Sequence, residues 1–240
     1  MRAFVAGATG WTGRHVVEAL VACDVETVAH VRPDSPRLEH WKTHFGRVGA
    51  RFDSTAWDPA AMGERLDALK PDLVFGLLGT TRRRRDRGDG DYEAVDYGLT
   101  VMLMDACCRE PAPRFVYLSS LGAGPGATSP YMSVRWRVEE RLRESGMRGL
   151  VVRPSLIIGD RDEARSGEAM GAWILDRILA PLRWVGRGDL ADRYGSIHGK
   201  DLGRGIVAHA LRMDAPERVI DSGDVRPRRL PLAIGGDLNR

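Results

Sequence analysis

Three side chains near the middle of the 240-residue chain have the types and the spacing of a proton-transfer site. Ser120 ends the segment FVYLSS, Tyr131 comes eleven residues later, and Arg135 follows Tyr131 by four residues, which is about one helical turn. A phenol can donate a proton to a substrate oxygen that a serine hydroxyl holds, and a nearby cation favours the ionised phenol. The sequence therefore predicts Ser120, Tyr131 and Arg135 as catalytic residues. The competing interpretation is an exposed helix start with a solvated arginine.

A glycine-rich turn near the start of the chain has the composition of a phosphate site. An apolar segment ending at Ala6 meets Gly7, Gly10 and Gly13, and a helical pattern follows at once. Without Cβ atoms the backbone can approach a pyrophosphate, which the unpaired N–H groups and the dipole of the helix attract. Hydroxyl groups in the same turn add donors, from Thr9 and Thr12. The turn predicts a dinucleotide site, and the alternative is a plain strand–turn–helix with incidental glycines.

The second predicted strand ends in arginine rather than in an acidic residue. In dinucleotide sites an acidic side chain about 20 residues past the glycines binds the ribose 2′-hydroxyl, whereas an arginine suits a 2′-phosphate. Arg32 stands at that strand end and Arg14 follows the third glycine, and guanidinium groups bind phosphate well. The sequence thus favours NADP over NAD, with a solvated surface arginine as the alternative. Asp53, at the end of the third strand, is predicted to accept a hydrogen bond from the adenine amino group or else to serve as a turn residue.

Short apolar segments alternate with helical patterns along the first two thirds of the chain. This alternation predicts βαβ units and hence an α/β protein with a Rossmann-like, doubly wound parallel sheet. We expect one domain: a Rossmann core at about 1–153, a small C-terminal substrate lobe at about 154–215, and a flexible tail at 216–240, which is rich in Pro, Gly and Arg. The predicted strands are 2–6, 26–31, 50–53, 73–76, 114–119 and 149–153, and the predicted helices lie near 12–22, 59–69, 92–109 and 131–145.

Several segments, in this order, resemble the short-chain dehydrogenase/reductase superfamily in its extended or atypical branch, and within it the Tat-interacting-protein type. They are GATGWTGRHV (7–16), GLLGTTR (76–82), VYLSSLGA (116–123), Tyr131 with its downstream helix, and VVRPSLIIGDRDEARSGE (151–168), within a resemblance that covers residues 1 to about 210. The resemblance implies an NAD(P)-dependent oxidoreductase and assigns roles by position. The pyrophosphate loop would consist of Gly7, Thr9, Gly10, Trp11, Thr12 and Gly13. The segment beside the cofactor ribose would be Leu78, Gly79 and Thr80, and the backbone beside the nicotinamide would be Pro154 to Leu156. Tyr131 and Arg135 would also contact the cofactor.

Two positions depart from the superfamily pattern. Its tyrosine is followed four residues later by lysine, where this chain has Arg135, and an asparagine is common where this chain has Asp96. In the superfamily that lysine binds both ribose hydroxyls and that asparagine helps to position a proton-relay water. A planar guanidinium is not a conservative replacement for a compact ammonium group. Both departures therefore bear on catalysis rather than on cofactor binding.

Composition and cysteine use exclude several classes of function. A net charge of +3 is too small to indicate nucleic-acid binding, and the arginine-rich segment 80–93 has no aromatic residue between its arginines, so we expect a loop there. The apolar stretches are too short to span a bilayer. Three cysteines, two of them adjacent, form neither a disulfide framework nor a zinc-ligand pattern. We therefore expect no metal site and a reducing compartment, the cytoplasm.

The sequence leads to one expected function and two alternatives. We expect an NADP(H)-dependent oxidoreductase that transfers hydride to or from a small carbonyl or hydroxyl compound, with Tyr131 as acid/base and Ser120 holding the oxygen. One alternative is a catalytically weak NADP(H)-binding regulator that acts through a protein partner. The other is a nucleotide-sugar epimerase, although such enzymes usually have a longer C-terminal lobe. The sequence leaves a homodimer open.

Overall fold

The structure is a computed structural model that describes residues 1–80, 91–107, 110–158, 187–212 and 218–227. Its central feature is a parallel sheet. Its order is β3-β2-β1-β4-β5-β6-β9, and a separate parallel pair joins β7 to β8. This order reverses direction between β1 and β4, as in doubly wound Rossmann sheets, so the predicted fold class is confirmed. The strands are β1 Arg2–Ala6, β2 Glu26–His30, β3 Arg51–Asp53, β4 Leu73–Gly76, β5 Arg114–Leu118, β6 Gly149–Arg153, β7 Ile157–Ile158, β8 Ile197–His198 and β9 Arg218–Asp221.

Helices cover both faces of the sheet. Alternate side chains of a strand point to opposite faces, and β1 shows the consequence. Phe4 packs in a cluster with Met62, whereas Val5 packs in a second cluster with Val16 and Ile206. The helices are α1 Trp11–Ala22, α2 Leu38–Val48, α3 Pro59–Leu69, α4 Thr100–Asp105, α5 Pro130–Glu144, α6 Gly188–Tyr194 and α7 Gly199–Ala210, with a π-helical segment, π1, at Tyr92–Leu99 directly before α4. None of the helices in the described ranges is long and apolar enough to cross a bilayer.

One helix and one strand, α2 and β9, were not expected from the sequence. Helix α2 connects β2 to β3 and buries Trp41 and Phe45 against the sheet, although no helix was predicted between residues 31 and 50. Strand β9 lies within the stretch predicted to be a flexible tail, yet Val219 pairs with Val151 of β6 at the edge of the sheet. The assignment of 216–240 to a tail is therefore incorrect for β9, because backbone pairing with β6 outweighs the polar composition around it.

The remaining predicted boundaries are close to the observed ones. Strands predicted to end at 31 and 119 end one residue earlier, and the helix predicted at 92–109 is π-helical up to Leu99 before it becomes α-helical. Most of the expected loop at 80–93 lies outside the described residues, as do 159–186 of the expected substrate lobe and 228–240 of the expected tail.

Glycines allow α7 to pack closely on α1. A Cβ atom on Gly203 would lie 2.7 Å from the Cβ of His15 and 2.8 Å from its backbone carbonyl carbon. One turn earlier, a Cβ atom on Gly199 would lie 2.1 Å from Nε1 of Trp11. The helix that opens with the glycine turn is therefore held in place by direct contact with the backbone of α7.

We expect Gly203→Ala to lower the free energy of unfolding by about 1–3 kcal/mol, because the added methyl group forces α1 and α7 apart. Gly46→Ala is the matched control in α2, where a Cβ atom meets nothing within 4 Å, and it should raise that free energy by about 0.5–1 kcal/mol. Urea unfolding of the two variants measures both effects. Equal stability of the two variants would show that the helices do not pack as described.

Candidate cofactor site

The glycine turn joins β1 to α1 in a conformation that side chains would prevent. Gly7 has a φ of +81°, and a Cβ atom there would lie 2.5 Å from the carbonyl oxygen of Leu77. A Cβ atom on Gly13 would lie 2.1 Å from the carbonyl oxygen of Gly7. Gly10 is the N-cap of α1 and donates its N–H to that same Gly7 oxygen at 3.0 Å. The turn thus places the N-terminus of α1 directly at the carboxyl end of β1.

A cavity of about 440 Å³ opens at this turn, which is within the usual range for small-molecule sites. It extends from the glycine turn across the carboxyl ends of β1, β2 and β4, where open α/β sheets bind ligands. Its walls come from five segments of the chain. They are Gly7, Thr9 and Gly10; His30 to Ser35; Trp57; Leu77, Leu78 and Gly79; and Val95 and Leu99 of π1.

The structure separates the predicted loop residues into two groups. Gly7, Thr9 and Gly10 line the cavity. Thr12 is buried and Trp11 packs on Gly199, Arg14 and His15, so neither lines the cavity. Trp11, Thr12 and Gly13 are thus absent from the cavity wall and fix α1 against the sheet and α7, and their predicted cofactor contacts stay predictions.

Arg32 and Asp53, the residues predicted to recognise the adenosine half of the cofactor, also lie in different environments. Arg32 lines the cavity, and its side chain is 39% exposed, with an ion pair of 3.5 Å to Asp34. Asp53 is buried outside the cavity wall, where its carboxylate accepts hydrogen bonds from Nε of Arg65 at 2.5 Å and from the N–H of Thr55 at 3.1 Å. Arg32 is therefore placed to meet a ligand, whereas the contact predicted between Asp53 and adenine stays a prediction.

Two aromatic residues of the cavity wall were not expected from the sequence. The ring of His30 lies 4.9 Å from the ring of Trp57 in an edge-on arrangement, and both line the cavity. His30 is bonded through Nε2 to the carbonyl oxygen of Thr55 at 2.8 Å, and burial lowers the pKa of this imidazole. An aromatic corner of this kind suits a planar base. In the sequence, His30 could have been identified by its place at the end of β2, close to Arg32.

The predicted catalytic serine lies on a loop fixed to the predicted nicotinamide segment. The N–H of Leu121 donates to the carbonyl oxygen of Pro154 at 2.9 Å, which joins the residue after Ser120 to the stretch that follows β6. The hydroxyl of half-buried Ser120 has a long contact of 3.5 Å with the carbonyl oxygen of Leu121. Leu156 accepts the N–H of Ile197 at 3.0 Å. The two predicted segments are thus adjacent, and neither contributes to the 440 Å³ cavity.

Arg135 does not have the environment expected for a residue that contacts the cofactor ribose. It is 4% exposed, and its two terminal nitrogens donate to acceptors of the protein itself. Those acceptors are the carbonyl oxygen of Leu78 at 3.1 Å, the carbonyl oxygen of Leu118 at 2.8 Å, and Oδ1 of Asp96 at 2.6 Å. Its hydrogen bonds join the ends of β4 and β5 to π1, and the contact predicted between Arg135 and the ribose stays a prediction.

Tyr131 contacts Arg135 through its ring face. The guanidinium carbon lies 5.0 Å from the ring centroid of Tyr131, within the range of a cation–π contact. On its other side Arg135 lies 3.3 Å from the hydroxyl of Tyr117, and burial raises the pKa of that buried phenol to about 12. The ring of Tyr131 also lies 5.4 Å from the ring of Tyr92. Arg135 thus packs against the ring faces or edges of two tyrosines, Tyr117 and Tyr131.

Asp96 is the second departure from the superfamily pattern, and it is the carboxylate that Arg135 contacts. It is fully buried in π1. Its Oδ2 accepts the N–H of Thr80 at 2.8 Å. This hydrogen bond explains why Thr80, which was predicted to lie beside the cofactor ribose, is absent from the cavity wall. Burial raises the pKa of Asp96, an effect that Arg135 and Thr80 oppose.

A second polar network lies behind the serine loop and was not predicted. The hydroxyl of buried Ser119 donates to the buried carboxylate of Glu139, which also accepts from Nε and a terminal nitrogen of Arg153 at 3.0 and 2.5 Å. Arg153 lines a further cavity of about 740 Å³ at the carboxyl ends of β5, β6 and β9, together with Leu121, Gly122, Ala123, Arg193, Tyr194, Val219, Ile220 and Asp221. Within the described ranges, no group of His, Cys, Asp and Glu side chains could hold a metal ion.

Comparisons with known proteins show which family the chain matches. Residues 3–221 match the model of a family described as "NAD dependent epimerase/dehydratase family". Two curated relatives are "Protein FMP52, mitochondrial" of Chaetomium globosum, 28% identical over 92% of this chain and 94% of its own length, and "Protein fmp52-1, mitochondrial" of Aspergillus terreus, 29% identical over 70% and 72%.

Solved structures support the fold. A UDP-glucose 4-epimerase of Thermotoga maritima with UDP-glucose aligns at a TM-score of 0.65 with 21% identity, over 92% of this chain and 75% of that one. A UDP-glucose 4-epimerase of Bifidobacterium longum in complex with NAD+ and UDP also gives 0.65, with 17% identity over 92% and 76%.

The names of the relatives also correct one expectation. They are named as mitochondrial proteins, so the cytoplasmic location expected from the cysteines is wrong. Cysteine use reports the redox state of a compartment, and reducing conditions do not by themselves identify the cytoplasm.

Proposed function

Since the chain belongs to the NAD dependent epimerase/dehydratase family, within the extended short-chain dehydrogenase/reductases, we propose that it binds NADP(H) and transfers hydride to or from a small carbonyl or hydroxyl compound. The observation that carries this proposal is the glycine turn at the head of the 440 Å³ cavity. A dinucleotide fits the donors present, because backbone N–H groups at the start of α1 suit a diphosphate. Gly7, Thr9 and Gly10 would hold it.

The wall of the cavity offers contacts for a dinucleotide from its adenine to its nicotinamide ribose. His30 and Trp57 would bind the adenine, and Leu78 and Gly79 would lie along the nicotinamide ribose. Arg32 would bind a 2′-phosphate, since its guanidinium is accessible and is only loosely paired with Asp34. This arginine is the reason for preferring NADP(H) to NAD(H).

Arg32→Ala should lower the affinity for NADPH by about 10-fold, the value of one charge-assisted phosphate contact of about 1.4 kcal/mol. The affinity for NADH, which has no 2′-phosphate, should stay unchanged. Arg51→Ala is the matched control, because Arg51 is an exposed strand arginine paired with Glu26 and does not line the cavity. Calorimetric titration with both nucleotides measures these changes. An equal loss for NADPH and NADH would argue against a 2′-phosphate contact.

The reacting end of the site would be formed by the serine loop and the start of α5. A bound nicotinamide supplies or accepts the hydride. Tyr131, the second residue of α5, would exchange a proton with the substrate oxygen, and Ser120 would hold that oxygen by its hydroxyl. The cavity of about 740 Å³ that begins at Leu121 would accept the rest of the substrate.

The proposed chemistry can be tested without knowing the substrate in advance. A panel of aldehydes, ketones and the corresponding alcohols is incubated with protein and NADPH or NADP+, and the absorbance of the reduced nicotinamide is followed. Turnover of at least one compound that is lost in a Tyr131 variant is the expected result. Cofactor binding without turnover of any compound would favour the second candidate.

The second candidate is a catalytically weak NADP(H)-binding regulator that acts through a protein partner. One observation favours it: the hydrogen bonds of Arg135 go to Leu78, Leu118 and Asp96, so its guanidinium is engaged by the protein itself. Arg135→Lys separates the candidates in the same panel. Activity that appears in this variant and is absent from the wild type would support the regulator and exclude the enzyme.

A further inference from the structure

The two positions at which the sequence departs from the superfamily pattern are in direct contact. Arg135 and Asp96 form an ion pair of 2.6 Å, with side chains 4% and 0% exposed. Arg135 belongs to α5, the helix that carries Tyr131, and Asp96 belongs to π1. A π-helical segment is uncommon and often occurs at a functional site. Here it turns a carboxylate inward while its neighbours Val95 and Leu99 line the cavity.

Both members of the pair bind the same short segment of backbone. Arg135 donates to the carbonyl oxygen of Leu78, and Asp96 accepts the N–H of Thr80 at 2.8 Å. At the residue between them, Gly79, a Cβ atom would lie 2.8 Å from a terminal nitrogen of Arg135, so a side chain there would displace the guanidinium. The segment 78–80 is thus held at both ends, and Leu78 and Gly79 form part of the cavity wall.

The two charges compensate each other in this buried contact. Removing one partner of a buried ion pair leaves an uncompensated charge, which destabilises a protein far more than the loss of an exposed pair. The planar guanidinium of Arg135 also reaches the carbonyl oxygen of Leu118 at 2.8 Å, a set of acceptors that the ammonium group of a lysine cannot reproduce in the same geometry. An arginine at position 135 therefore requires the carboxylate at position 96.

We propose that Asp96 and Arg135 act together as one positioning unit that sets the segment Leu78–Thr80 and with it the ribose side of the cofactor cavity. This inference rests on the proposed cofactor binding. Neither residue is a catalytic residue in this unit, since Arg135 meets Tyr131 at the ring face and Asp96 is enclosed by the protein. The two departures from the superfamily pattern are thus one matched exchange rather than two independent losses.

The test is a double-mutant cycle of Asp96→Asn, Arg135→Lys and the combined variant, with NADPH affinity and the free energy of unfolding measured for each. We expect each single variant to weaken NADPH binding by about 10-fold or more, because each leaves a mismatched pair. The combined variant should recover to within about 3-fold of the wild type, because lysine and asparagine are the residues that the superfamily combines at these two positions and coupled residues give non-additive effects. If a single variant does not fold, folding and NADPH binding by the combined variant support the same conclusion.

Asp192→Asn is the matched control. Asp192 is buried and lies beside Arg226, with 3.7 Å between Oδ1 and Nε, and it does not line the cofactor cavity. This variant should lose stability and keep the wild-type affinity for NADPH, which distinguishes positioning of the cavity from general support of the fold. Wild-type affinity in both single variants, or a combined loss equal to the sum of the single losses, would overturn the inference. Absence of NADPH binding by the wild-type protein would instead overturn the proposed function.

Discussion

Gly10→Val is expected to lower the affinity for NADPH by about 100-fold or more, or about 2.7 kcal/mol, in a protein that still folds. Gly10 has a φ of −69°, which valine readily adopts. A Cβ atom there meets only the carbonyl oxygen of Gly7, at 3.2 Å, so the structure can accommodate it with a small shift. The branched side chain would stand in the cavity at the N-terminus of α1 and keep a diphosphate away from the backbone N–H groups.

Gly63→Val is the control for this variant. Gly63 lies within α3 and has nothing within 4 Å of an added Cβ atom, so valine there costs some helix stability and leaves the cavity unchanged. Calorimetric titration gives the NADPH affinity of both variants, and circular dichroism verifies that they fold. A folded Gly10→Val protein with the wild-type affinity would mean that the diphosphate does not bind at the glycine turn.

Tyr131→Phe is expected to reduce kcat by about 100- to 10,000-fold for any substrate found in the panel, the usual contribution of a positioned proton donor. The affinity for NADPH should change by less than about 2-fold, because the ring and its contact with Arg135 at 5.0 Å are kept. The loss should thus fall on kcat and not on cofactor binding, since only the hydroxyl is removed. Steady-state kinetics together with calorimetric titration separate the two quantities.

Tyr92→Phe provides the comparison within the same aromatic pair. The rings of Tyr92 and Tyr131 lie 5.4 Å apart, so this variant removes a neighbouring hydroxyl and leaves that of Tyr131 in place. Its kcat should stay within about 3-fold of the wild type, since proton transfer is unaffected. A Tyr131→Phe protein with undiminished turnover would refute the assignment of Tyr131 as the proton donor.

The parts of the fold that local pattern determines could be predicted from the sequence. The glycines of the first turn indicated both a strand–turn–helix and its place at the head of a Rossmann sheet, because a backbone so close to Leu77 and to α1 excludes side chains. The buried strands β1, β4 and β5 are short apolar runs, as strands covered on both faces must be. Arg32 was predicted at the end of β2 and does line the cavity.

Elements that depend on distant partners could not be predicted. Strand β9 has the exposed residues Arg218 and Val219 and acquires its structure from pairing with β6. In π1 the number of residues per turn exceeds that of an α-helix, so a period of 3.6 does not reveal that Asp96 is buried while Val95 and Leu99 face the cavity. Trp57 reaches the same cavity from the loop after β3, and no local pattern indicates it.

The pair of Arg135 and Asp96 shows the same limit at the site itself. The sequence marked both residues as departures, one by one, and gave Arg135 a place at the ribose. Their separation of 39 residues along the chain conceals an ion pair that only the packing of α5 against π1 creates. The contacts of Ser119, Glu139 and Arg153 likewise join three separate elements behind the predicted serine.

Calorimetric titration of the wild-type protein with NADPH at two temperatures tests the central claim, that the cavity at the glycine turn is a dinucleotide site. We predict one saturable binding event per chain, with a heat that differs between the two temperatures because binding buries apolar surface of the cavity wall. Absence of any binding heat at both temperatures would contradict the claim and, with it, the function proposed for this protein.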